Sequence, residues 1–147
     1  MSDTFEAEFA RGAELLRKGL LAEAQQALSA ALAAQPGDAK ALALLGLTYF
    51  RSAQFVEAKP IYAALVERDP DDASHHLNLG LVHLKLGETE AAVGALEQSR
   101  TLDPSPGRAS NYLGLAYARA GRYGQAYQAF RAAGQNELAE EVWSNLS

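Results

Sequence analysis

Residues 39–70 read AKALALLGLTYFRSAQFVEAKPIYAALVERDP. Two apolar patterns of helical spacing lie within the stretch, one on each side of Ser52-Ala53-Gln54. Leu42, Leu45, Gly46 and Tyr49 follow an i, i+3, i+4, i+7 order in the first, and Ala58, Ile61, Tyr62 and Leu65 follow the same order in the second. The stretch therefore predicts two amphipathic helices, over 39–53 and 55–68, joined by a tight turn. Asp69-Pro70 closes the second, because a residue that precedes proline is pushed out of the helical region. Pro60 lies beyond the first turn of that helix, where a missing N–H is expected to bend it locally.

Working outward, the same marks return every 34 residues. Gly46 belongs to a column with Gly12, Gly80 and Gly114; Ala58 belongs with Ala24, Ala92 and Ala126; Pro70 belongs with Pro36 and Pro104. Bulky columns run through Leu15, Tyr49, His83 and Tyr117, and through Leu28, Tyr62, Leu96 and Phe130. A period of this length, shared by several residue types, predicts stacked helix pairs. A mid-helix glycine costs about 1 kcal/mol against alanine, so its recurrence implies a neighbouring helix too close for a side chain. The alanine column of the second helix is the expected contact. Gly19, Gly87 and Gly121 stop three of the first helices, and Ala53 stands where the fourth such glycine would be.

The pattern resembles the tetratricopeptide repeat family. The match lies in Leu45-Gly46, Tyr49, Ala58, Tyr62 and Pro70 of the second repeat and Leu113-Gly114, Tyr117, Ala126 and Phe130 of the fourth. Glu8 and Arg11 depart from it in the first repeat, and Leu138 replaces the closing proline of the fourth. The resemblance implies an all-α, right-handed α-solenoid of four helix pairs, forming a single domain over 1–147. Repeats are expected at about 5–38, 39–72, 73–106 and 107–136 or 140. A C-terminal capping helix is expected over about 137–146, with Leu138, Val142 and Leu146 on its packed face and Trp143 at its edge.

The resemblance further implies that the first helix of each repeat lines a concave groove that binds a protein or peptide. The columns it points to are Phe9, Ala43, Leu77 and Asn111; Ala13, Leu47, Leu81 and Leu115; Leu16, Phe50, Leu84 and Ala118; and Arg17, Arg51, Lys85 and Arg119. Lys40 and Arg108 add cations near helix starts, and Asn78 lies beside Leu77. An apolar floor with a basic edge fits an acidic, partly hydrophobic ligand. The carboxylate clamp by which some members hold chaperone tails is disfavoured. Asn78 and Arg108 match it, but Ala43, Leu47 and Tyr112 do not.

Composition bounds the alternatives. The chain has 147 residues, no cysteine and a formal net charge of −5, which argues against a dedicated nucleic-acid or anionic-membrane binder. Its N-terminus, MSDTFEAE, lacks the cationic start and apolar run of a signal peptide, so a cytoplasmic location is expected. His83 follows His75 and His76 by eight and seven residues, about 10 Å along a helix, too far for a metal shared by all three. No phosphate-binding loop or nucleophile–base motif is present; Asp71-Asp72 and Glu140-Glu141 read as solvated pairs. No enzyme activity, cofactor or metal is expected. An interaction adaptor is the leading function, with a self-assembling scaffold or a small client chaperone as the alternatives.

Overall fold

The computed structural model describes residues 2–105 and 107–144, with backbone alone for Ser2 and Asp3. The described residues form nine α-helices and no strand: α1 (Ser2–Arg17), α2 (Leu21–Ala34), α3 (Ala39–Arg51), α4 (Phe55–Arg68), α5 (Ala73–Lys85), α6 (Thr89–Leu102), α7 (Arg108–Arg119), α8 (Tyr123–Ala132) and α9 (Asn136–Ser144). They fall into two compact units, divided in sequence between Arg68 and Asp69. Each helix of a unit packs on the next one along the chain, and the first helices of successive repeats, α1 with α3 and α5 with α7, also touch. The Asp-Pro stops end α4 at Arg68 and α6 at Leu102, and α4 continues through Pro60.

One device makes all four turns within the repeats. Gly19, Gly87 and Gly121 adopt φ of 80°, 77° and 78°, and Ala53 adopts 60°. The amide after each donates back five residues: Leu20 to Leu15, Gln54 to Tyr49, Glu88 to His83 and Arg122 to Tyr117, at 2.8–2.9 Å. These bonds satisfy carbonyls that a helix end leaves unpaired. The bulky column of the first helices is thus also the column whose carbonyls anchor the turns. Alanine adopts the left-handed conformation at a cost of about 1–2 kcal/mol, so the second repeat keeps the turn without the residue that suits it.

The side chains that come nearest to the glycine column are those of the bulky column of the second helix. A Cβ built on Gly12 or Gly80 would fall 2.6 Å from Cγ of Leu28 or Leu96, one on Gly114 would fall 2.5 Å from the Phe130 ring, and one on Gly46 would fall 3.0 Å from Tyr62. Helical side chains lean toward the N-terminal end of their own helix. A long side chain one turn beyond each alanine therefore reaches back to the level of the glycine. Ala24, Ala58, Ala92 and Ala126 are themselves fully buried.

Aspartates begin two of the first helices: Asp38 Oδ1 accepts from Ala41 N at 3.0 Å, and Asp72 Oδ1 accepts from Ser74 N at 2.8 Å. In the second unit the core joins Leu84, Val93, Leu96, Leu113, Tyr117 and Phe130 with Ala139 and Val142 of α9. The packed face of this last helix thus holds Val142, as expected, but not Leu138. Ala139 and Val142 point inward and Leu138 lies at the edge, 38% exposed, while Leu146 lies outside the described residues. Trp143 is 54% exposed and rests on Tyr127, with ring centroids 5.1 Å apart.

The Cγ of fully buried Leu96 leaves no room beside Gly80, so Gly80→Ala should lower stability in urea unfolding by about 1–2 kcal/mol after its gain in helix propensity. Gly94, inside α6 with nothing within 4 Å of an added Cβ, should instead gain about 0.5–1 kcal/mol on replacement by alanine. Equal effects at the two sites would contradict the notch.

Candidate partner-binding surface

Each unit holds a cleft at the same place in its repeats. In the first unit a cleft of about 450 Å³ is lined by Phe5, Phe9, Asp38, Ala39, Lys40 and Arg68. In the second, one of about 260 Å³ is lined by residues that include Ala73, Leu77, Gly107 and Arg108. Ala73, Leu77, Gly107 and Arg108 stand 68 residues, two repeats, after Phe5, Phe9, Ala39 and Lys40. The start of one first helix and the start of the next thus frame each cleft, with a cation on the rim; the floor of the first is mainly apolar, whereas Ser74, Ser99, Asp103 and Ser105 make the second mainly polar around Leu77. Phe5 and Phe9 stack at 5.7 Å, as i, i+4 partners on one face of α1.

The carboxylates at these clefts already have partners. Asp38 caps α3. Asp103, in the second cleft, accepts from Ser105 Oγ at 2.5 Å and Ser105 N at 3.2 Å, and these bonds hold its carboxyl below the usual carboxylate range. Lys40, Arg68 and Arg108 are exposed.

The basic column is less uniform than its sequence register implies. Arg17 donates to both carboxylate oxygens of Glu14, at 3.0 and 2.5 Å, which lowers the pKa of Glu14. Arg119 donates to the Leu84 carbonyl at 3.3 Å. Arg51 and Lys85 are exposed. Among the apolar positions, Phe9, Leu47, Phe50 and Leu77 are half-buried and Leu115 is 36% exposed. Phe50 meets Phe55 edge-on at 5.3 Å. Leu81 and Leu84, only 6% and 5% exposed, are core residues and offer a ligand almost no surface. Asn78 and Asn111 are half-buried. Phe5 and Arg68 complete the first cleft and stand outside the columns that the resemblance singled out; the i, i+4 spacing of Phe5 from Phe9 was their one visible signal.

The three histidines have separate surroundings. His76 Nε2 lies 2.8 Å from the Pro70 carbonyl, and His83 Nδ1 lies 2.9 Å from Glu88 Oε1. His75 Nε2 lies 3.5 Å from Asp72 Oδ2, and with Asp69 these two bring ligand-type atoms within 4.8 Å of one another. Asp69 is exposed, and the Asp72 carboxylate is engaged as the cap of α5.

A tetratricopeptide repeat model matches residues 9–73, 45–105 and 77–139. The chain belongs to the tetratricopeptide repeat family. Cellulose synthase operon protein C of Pseudomonas fluorescens (strain SBW25) is 30% identical over 119 residues, covering 81% of this chain and 9% of that protein. Superkiller complex protein 3 of Homo sapiens is 30% identical over 106 residues, covering 68% of this chain and 7% of that protein. The chain thus spans less than a tenth of the length of these curated relatives. Among solved structures, MamA from Desulfovibrio magneticus RS-1 superposes with a TM-score of 0.85 at 23% identity, over 90% of this chain and 75% of that one. Another MamA crystal structure gives 0.84 at 22% identity, over 98% and 90%. These likenesses show the tetratricopeptide-type helical solenoid fold. Among the described residues no helix is long and apolar enough to cross a membrane.

Tyr62, the residue behind Gly46, gives this packing a pH signature. Burial pushes its phenol up to about 12, against a smaller opposing effect from the Arg51 guanidinium. The folded state then holds a proton that the unfolded state releases near pH 10, so this contribution to stability is intact below pH 10 and is lost as pH rises toward 12. Urea midpoints measured at pH 9 and pH 11 should differ less in Tyr62→Phe than in the parent chain.

Proposed function

We propose that the chain is a non-catalytic interaction module that captures an acidic, partly hydrophobic segment of a protein partner. Tetratricopeptide repeat proteins bind protein partners, and the finer statement rests on one observation. The same cleft, with an apolar side chain on its floor and a cation at the start of a first helix, occurs in both units: Phe9 with Lys40, and Leu77 with Arg108. In this reading the floor supplies contact area, and the cations orient the ligand and speed its encounter. Arg51 in the first unit, and Lys85 and Leu115 in the second, are further exposed side chains on the first helices of their own units. Leu81 and Leu84 support it from beneath, and Asn78 and Asn111 offer side-chain amides at its half-buried level. The predominantly acidic chain favours a protein over a nucleic acid or a membrane surface.

Selection from a random peptide display library tests the reading without a known partner. Enriched sequences should place Asp or Glu beside Leu, Phe or Trp. Each exposed ion pair contributes up to about 1 kcal/mol, so the double variant Lys40→Glu, Arg108→Glu should bind the selected peptides about tenfold more weakly. Its helical circular dichroism should remain that of the parent. Enrichment of neutral or basic peptides, or equal affinity for parent and variant, would refute the proposal.

A further inference from the structure

The ligand chemistry proposed above is present in the chain itself. Helix α9, with the sequence NELAEEVWS, carries Glu137, Glu140 and Glu141 and no basic residue. Its inward face is taken by Ala139 and Val142, which leaves the three glutamates exposed. Trp143 and Leu138 flank them, 54% and 38% exposed, and rank among the few large apolar side chains that the described surface shows. Glu140 precedes Trp143 by three residues, so the pair shares one edge of the helix. Tyr127 supports the indole from below at 5.1 Å, and the Arg131 guanidinium lies 5.8 Å from the Tyr127 ring. An indole held this way loses little conformational freedom on binding.

The cleft of the first unit is the complement of that edge. Its stacked Phe5–Phe9 pair offers an aromatic floor, and Lys40 and Arg68 supply two exposed cations. We propose that the Trp143–Glu140 edge of α9 docks into the Phe5–Phe9 cleft of a second copy of the chain, with Trp143 on the aromatic floor and Glu140 against Lys40 and Arg68. The inference rests on the reading of the cleft as a receiver of acidic, apolar segments, and names one occupant. Donor and acceptor surfaces are different patches, so each copy has one of each to offer. Such a heterologous contact lets assembly grow with concentration.

Sedimentation velocity on the full chain, from micromolar to millimolar, reads the association directly. The weight-average mass should rise with concentration and fall back as salt is added. Glu140→Lys and Lys40→Glu, both at exposed positions, should each raise the dissociation constant about tenfold, and the charge-swapped double variant should recover most of the loss. A monomer at every concentration, or a Glu140→Lys variant that associates like the parent, would overturn the proposal. A labelled peptide with the sequence of Asn136–Ser144 should compete with the display-selected peptides for the cleft. If those peptides bind in a Lys40-dependent way while the chain stays monomeric and the α9 peptide does not compete, the cleft reading survives and this inference fails. If binding is insensitive to Lys40, both fall.

Discussion

Every helix pair in this protein depends on a missing side chain. At Gly12, Gly46, Gly80 and Gly114 the first helix presents bare backbone, and Leu28, Tyr62, Leu96 or Phe130 of the second helix fills the space. Close packing forgoes the entropy advantage of alanine at four mid-helix positions, about 1 kcal/mol each, and returns it as burial of a large apolar group. Leu28 and Leu96 are completely buried, and Tyr62 and Phe130 are 4% exposed, so the return exceeds the cost. The left-handed turn that follows each first helix then sets the second helix at the angle and distance the contact requires.

What remains on the surface follows from this packing. With the glycine face of each first helix turned to its partner, the start of that helix and the start of the next are left to frame a cleft. Both clefts inherit their chemistry from the same repeat positions, an apolar residue at Phe9 or Leu77 and a cation at Lys40 or Arg108. The units are not copies, because Phe5 stands where the second unit has Ala73. An aromatic pair floors the first cleft and a single leucine the second. A ligand that distinguishes the two would do so through aromatic contact and through Arg68, the second cation of the first cleft.

Much of the fold was legible because a 34-residue period in several residue types is a statement about structure at repeat scale. The stops at Asp69-Pro70 and Asp103-Pro104 were read directly from their columns, whereas Ala53, expected at the end of a helix over 39–53 and as a break in the glycine column, lies past the helix end at Arg51 and takes the same left-handed turn as the glycines. The bulky neighbours of the glycines were not foreseen, because spacing along the chain ignores the lean of helical side chains, which brings a long side chain back one turn to the level of the glycine. On α9 the spacing placed Val142 on the packed face but put Leu138 there as well, for a related reason. Leucine was given priority over alanine, but the neighbouring helix α8 approaches closely enough to take Ala139 and leave Leu138 at the margin. Of the residues that line the two clefts, the register singled out Phe9, Lys40, Leu77 and Arg108, while the core positions of Leu81 and Leu84 and the pairing of Arg17 with Glu14 depended on three-dimensional packing that one column cannot report.

The notch and the group that fills it are sixteen residues apart, inside one repeat. Each helix pair therefore carries both halves of its own key, and nothing in that pairing reaches into the next pair. A genetic duplication or deletion of 34 residues leaves every remaining key matched to its lock, whereas a gain or loss of a few residues between notch and filler separates them at once. The length of this protein can thus change over evolution in whole steps without a new core having to be invented, and the surface chemistry of each added step is free to diverge.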